Sequence, residues 1–159
     1  MWMLMWVVLT CGSTANKKKS KVRDYKMKLA ENFSLWEFKC RDGSGVPDEY
    51  MGNVQKLADN LQVLRDAVGK PIRVISGYRS KKYNTRIGGA RKSQHMCAKA
   101  ADIKIKGMKP AEVKETIEWL IREGKMHKGG VGIYRTFVHY DVRGWNARWK
   151  GKGVKDDRP

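Results

Sequence analysis

Apolar residues recur at helical spacing twice along this chain. Val54, Leu57, Ala58, Leu61, Leu64 and Val68 fall three or four apart and predict an amphipathic helix over 48–68, stopped by Gly69. Val113, Ile117, Leu120 and Ile121 repeat the pattern behind Pro110, so a second helix opens at that proline and closes at Gly124. Elsewhere the period shortens to two. Ile72-Arg73-Val74-Ile75 reads as a short strand, and Ile103 and Ile105 alternate with Asp102 and Lys104 as in a half-buried strand. Val131–Tyr134 and Phe137–Val142 predict two further strands joined by a tight turn at Arg135-Thr136. Ser34-Leu35-Trp36-Glu37 fits a capping box and starts a short helix. Gly43, Gly45 and Pro47 mark a loop, and residues 80–94 form a polar, basic loop with room for one helical turn. Helices early, strands late and no internal repeat predict an α+β domain: a small antiparallel sheet with helices packed on one side.

The ends of the chain read differently. Residues 1–9 are apolar throughout, far short of the roughly 20 residues needed to span a bilayer. Residues 1–15 therefore fit an export signal, with Ser13-Thr14-Ala15 as a small-residue cleavage site. They also resemble a loose lipoprotein signal, in which a lipidated Cys11 would attach the chain to a membrane. Against both, no Lys or Arg precedes the apolar run and Thr10 stands before the cysteine. Residues 16–28 read as a basic linker, 29–149 as the domain and 150–159 as a basic tail.

Composition narrows the partners. The chain has 159 residues, 41% hydrophobic, enough for one domain with a core. Its formal net charge of +18 draws polyanions, whether nucleic acid or an anionic cell wall or membrane. Nucleic acid is disfavoured, because no recognised motif occurs and the basic residues are spread rather than set on one helix. Of the three cysteines, Cys40 and Cys97 could pair in an oxidising compartment; without a Cys-x-x-Cys, a cysteine zinc site is not expected.

The candidate chemistry lies on the last predicted strand and in the loop before Asp102. Alternation puts Phe137, His139, Asp141 and Arg143 on one face and Val138, Tyr140 and Val142 on the other. His95 sits seven residues before Asp102 in a Gly/Ser/Lys loop small enough to fold back. Two imidazoles and a carboxylate suit Zn²⁺, and a catalytic zinc keeps its fourth position for water, whose pKa it lowers towards about 7. Each residue also has an ordinary reading: a polar loop residue for His95, a cap or ion pair for Asp102, a packed core imidazole for His139. His127, in "GKMHKGG", is read as an ordinary basic-loop residue.

The words around these residues carry more. "SGYRS" (76–80), "SQHMCAKAADI" (93–103) and "FVHYDVRG" (137–144) resemble, in order and spacing, the zinc D-alanyl-D-alanine carboxypeptidase-like peptidases, which share a metal-site fold with the hedgehog signalling domain. The resemblance covers roughly residues 30–149 and is nearest to small peptidoglycan-directed members from exported bacterial and phage proteins. It implies that His95, Asp102 and His139 bind Zn²⁺ and that Arg79 steadies an oxyanion or a substrate carboxylate. Tyr78, Ser93 and Trp145 are expected to contact substrate, with Trp149 a further cleft candidate.

Two positions depart from the family pattern. Ala98 stands where the family usually has Gly, and Thr136 stands where many members carry the carboxylate general base, three residues before the last histidine. Asp141 is the candidate substitute, either as base or as a group orienting a ligand. The reading is a zinc peptidase acting as a monomer on peptidoglycan stem peptides, exported or delivered by a phage to the wall and held there by anionic polymers. A zinc-containing wall-binding module without catalysis is the alternative.

Overall fold

The computed structural model describes residues 27–154. The signal segment, Cys11, most of the basic linker and the end of the tail lie outside the described residues. A hairpin of β1 (Lys28–Ala30) and β2 (Phe33–Ser34) leads into a 3-10 turn, Leu35–Phe38, at whose start the Glu37 carboxylate accepts the Ser34 N–H at 2.7 Å. Helix α1 (Met51–Val68) follows a 3-10 turn at Asp48–Tyr50 and buries Val54, Leu57, Ala58, Leu61 and Leu64. It ends at Gly69, whose φ of 62° lies where only glycine sits without strain. Helix α2 (Lys81–Arg86) is the helical turn of the basic loop, and α3 (Pro110–Arg122) is the second amphipathic helix.

Strands β3 (Ile72–Ser76), β4 (Ala100–Ile105), β5 (Gly130–Ile133), β6 (Val138–Asp141) and β7 (Ala147–Lys150) form one sheet in the order β3-β4-β6-β5-β7. Every pairing is antiparallel except β5 with β7. The expected α+β domain with an antiparallel sheet is borne out; β7, which returns alongside β5 in the same direction, adds one parallel edge pairing. On one face, Ala101, Ile103, Ile105, Val131, Val138 and Tyr140 share a single core with the apolar stripes of α1 and α3. Alternation sends Asp102 and His139 to the other face. Cys40 is buried and Cys97 half-buried; both are free thiols, so the disulfide considered above does not form.

Candidate metal centre

The sheet register places the two strand-borne residues. Asp102 on β4 lies directly opposite His139 on β6, one layer from the apolar pair Ile103 and Val138. A bulge in β3 between Val74 and Ser76 sets Ser76 opposite Asp102, where its hydroxyl accepts the Arg79 Nε–H at 2.9 Å. His95 arrives from a 3-10 turn, Gln94–Cys97, that closes on Ala98 with φ of 52°. Ala98 is the single non-glycine residue with positive φ among the described residues, at the position where the family usually has glycine. Asn84 fixes the preceding loop, its side-chain Nδ2 donating to Ala90 O at 3.0 Å and its backbone carbonyl accepting the Gly89 N–H at 2.8 Å.

The outer contacts of each imidazole decide what its inner edge offers. His95 Nδ1 lies 2.7 Å from Gly77 O, a carbonyl that can only accept, so Nδ1 carries the proton and Nε2 presents a lone pair. His139 Nε2 lies 3.0 Å from the Asp141 carboxylate, so in the neutral ring Nδ1 is bare. These two lone pairs and Asp102 Oδ1 meet in a triangle with edges of 3.0, 3.2 and 3.3 Å. A tetrahedral ion with bonds of about 2.0–2.2 Å holds its ligand atoms about 3.3–3.6 Å apart, so the triangle needs to open only slightly to take one. Three acceptors this close, all buried, need a positive charge between them. The donor set, spacing and tautomers therefore fit a divalent cation with nitrogen and oxygen ligands.

Surrounding charges hold the triangle. Arg79 Nη2 bonds Asp102 Oδ2 at 2.5 Å, leaving Oδ1 turned towards the histidines. Asp141, wholly buried, accepts from the Gly130 N–H at 3.0 Å and from Arg143 Nε and Nη2 at 2.8 and 2.6 Å. Burial pushes the His95 pKa down, outweighing the pull of Asp102, and keeps that ring neutral. Burial acts the same way on His139, but hydrogen bonds to Asp102 and Asp141 outweigh it and raise its pKa. Both carboxylates resist burial and stay well below the usual range, Asp102 through the two histidines and Asp141 through His139 and Arg143.

The triangle opens into a cleft of ≈ 610 Å³. Arg79 and Ser93 line it, and so do Phe137 and Arg143, which share the His139 face. Tyr78 and Trp145 require correction. The Tyr78 ring packs on the core beside Tyr50, 6.3 Å between centroids, because its backbone is tied to Phe38 O. Trp145 is 62% exposed and stands outside the cleft under Arg143. Trp149 does line the cleft, as do Tyr134 and Lys92, which the sequence reading left out. Thr136, in the β5–β6 turn, borders a separate hollow with Lys104 and Met108. His127 sits away from the cleft, 2.6 Å from Lys56 Nζ. Asp102 is the one acid among the cleft residues, against Arg79, Lys92 and Arg143, so the cleft is cationic.

An α+β domain that gathers two buried imidazoles and a carboxylate at the floor of an open cleft is a metal-site scaffold. The chain belongs to the Peptidase M15 family, whose family model matches residues 31–141 and bears out the resemblance read from the three sequence words. Similar curated proteins include the peptidoglycan L,D-endopeptidase MepK of Escherichia coli, 35% identical over 95 residues that make up 54% of this chain and 49% of that protein. The probable peptidoglycan L,D-endopeptidase MepK of Haemophilus influenzae is 35% identical over 99 residues, 58% of this chain and 50% of the relative. The chain spans about half the length of these curated relatives.

Proposed function

We propose that this protein is a zinc-dependent peptidase that hydrolyses peptide bonds in peptidoglycan stem peptides or their cross-links. The observation that carries the reading is the triangle of His95, Asp102 and His139 at the floor of a cationic cleft. His95, Asp102 and His139 would hold a zinc ion, which would supply Lewis acidity for attack of water on the scissile carbonyl. The chain's own residues do the rest. Gly77 O and Asp141 fix the two histidine tautomers, and Ser76 and Arg79 fix the Asp102 rotamer. Arg79, at the cleft wall, adds a fixed positive charge where an oxyanion or a substrate carboxylate would sit. Lys92 extends that field and favours acidic stem peptides, while the Arg143 charge is taken up by Asp141.

Asp141 is assigned a positioning role. It meets His139 at Nε2, on the opposite edge of the ring from Nδ1, and so cannot take a proton directly from a group held at the triangle. The relatives are L,D-endopeptidases, which makes a bond between an L- and a D-centre the first to test. Purified protein would be incubated with cross-linked muropeptides, with and without zinc and EDTA, and the products read by mass spectrometry. Chelator-sensitive cleavage is expected, and its absence from every substrate would remove the peptidase reading.

One observation favours a second reading. The cleft residues include no carboxylate beyond Asp102, and Thr136 stands outside the cleft. A zinc-containing wall-binding module without turnover matches that. Stoichiometric zinc and binding to sacculi without any hydrolysis would select it.

A further inference from the structure

We propose that Trp149, on the terminal strand β7, is a positioning residue for His139 and, with Tyr134 and Phe137, the apolar wall on which the substrate's aliphatic side chain rests. The wall rests on the peptidase reading above; the positioning does not.

His139 is held at both ring nitrogens, by Asp102 at Nδ1 and Asp141 at Nε2, but in-plane bonds do not stop a ring from tilting. The Trp149 indole supplies that restraint, its centroid 5.0 Å from the imidazole at an interplanar angle of 54°. The parallel pairing of β5 with β7 sets Trp149 directly beside Gly132, which is itself opposite His139 on β6. The indole can reach the imidazole because Gly132 lacks a side chain: a Cβ there would fall 2.3 Å from Trp149 Cε2. Trp149 Nε1–H donates to the Tyr134 hydroxyl at 3.2 Å, and the Tyr134 ring stacks on Phe137 at 4.3 Å between centroids and 9° between planes. The Arg143 guanidinium lies 5.5 Å from the Trp149 ring centroid. All three aromatic residues line the cleft and are linked to one another, so they form an apolar patch in it beside the cations Arg79, Lys92 and Arg143. An extended peptide with an alkyl side chain next to its scissile bond and carboxylates further out matches that division. Trp149 lies beyond residues 31–141, where the family match ends.

Three variants, Trp149→Ala, Trp149→Phe and Gly132→Ala, test the proposal in the full chain. Gly132→Ala displaces the indole without removing it. Zinc affinity is measured by competition with a chromophoric chelator, the Co²⁺ form by its visible spectrum, and folding by thermal melting. Loss of an outer partner of a metal-binding histidine typically weakens metal affinity 10–100-fold. Trp149→Ala and Gly132→Ala are expected to lose at least tenfold in zinc affinity and to shift the Co²⁺ bands, while Trp149→Phe restores most of the affinity. With a muropeptide that wild type cleaves, Trp149→Ala should raise KM severalfold. Unchanged zinc affinity in folded Trp149→Ala overturns the positioning, and an unchanged KM overturns the wall. If wild type binds zinc but cleaves nothing, the peptidase reading and its wall fail while the zinc measurements still decide the positioning.

Discussion

The two faces of strand β6 are buried to almost the same degree and for opposite reasons. Val138 and Tyr140 point into the core and are about as inaccessible as His139 and Asp141 on the other side. On the helix face, burial is itself the driving force, at about 25 cal/mol per Å² of apolar surface removed from water. On the cleft face, burial costs free energy unless each charge finds a partner, and the outer edges find theirs: Asp102 against Arg79, Asp141 against Arg143, His95 against Gly77 O and His139 against Asp141. One face thus carries the stability of the sheet. The other spends some of it on a site whose inner edge is left with lone pairs only.

Adjacent residues on β4 test the division most sharply. Asp102 faces the triangle and Ile103 the core. Lewis-acid stabilisation is worth several kcal/mol, at about 1.4 kcal/mol per tenfold in rate, so Asp102→Ala should lower activity about 10³-fold or more and abolish stoichiometric zinc binding. Retained zinc at full occupancy in that variant would break the division. Ile103→Ala should do the reverse, costing about 2–5 kcal/mol of stability as a cavity opens, with the zinc affinity of the folded protein intact. Chemical denaturation and chelator competition on the same samples read both quantities.

Asp141→Asn sharpens the comparison within the polar face. The amide keeps the volume but has one acceptor oxygen, which the Gly130 and Arg143 donors claim, so it turns an NH2 towards His139 Nε2 and leaves Arg143 unneutralised; zinc affinity should fall 10–100-fold. A direct proton acceptor would instead leave zinc bound and remove turnover, and equilibrium dialysis separates the two. Acid should act through the same ring. His139 binds its proton above the ordinary histidine value of 6.5, and zinc must displace it. Zinc affinity is therefore expected to be flat at high pH and to fall up to tenfold per unit as pH drops through that raised value. His95, held low by burial, adds a second dependence only at more acid pH.

The face difference also explains what could be read from the chain. Apolar burial leaves a period, so α1 and α3 were legible from Val54–Leu64 and Val113–Ile121, and β6 from Val138, Tyr140 and Val142. The ligand candidates were legible only through the surrounding words, which joined His95 and Asp102 to His139; taken singly, each residue has an ordinary reading. The partners were not. Gly77, which sets the His95 tautomer, contributes a backbone carbonyl that no side chain announces. Trp149 sits on a strand of alternating half-buried and exposed residues, Ala147–Lys150, whose parallel pairing with β5 has no local signal. Tyr78 misled for a related reason: its place inside "SGYRS" suggested the cleft, while the β3 bulge and the bond to Phe38 O place it on the core side.

Ala98→Gly should produce the smallest effect and says what sets the His95 turn. Ala98 holds φ of 52°, a conformation that costs an L-residue roughly 1–2 kcal/mol, and glycine would remove that cost. Glycine also gains freedom in the unfolded chain, worth roughly 0.5–1 kcal/mol against folding. Ala98 is 1% exposed, and losing its methyl forfeits about 0.8 kcal/mol of burial. These contributions nearly cancel, so stability should move by no more than about 1 kcal/mol, a few degrees in Tm, with zinc affinity unchanged. Stabilisation beyond about 2 kcal/mol would show that αL strain dominates there. An equal loss would show that the buried methyl, packed behind the ligand turn, is what keeps His95 Nε2 aimed at Asp102.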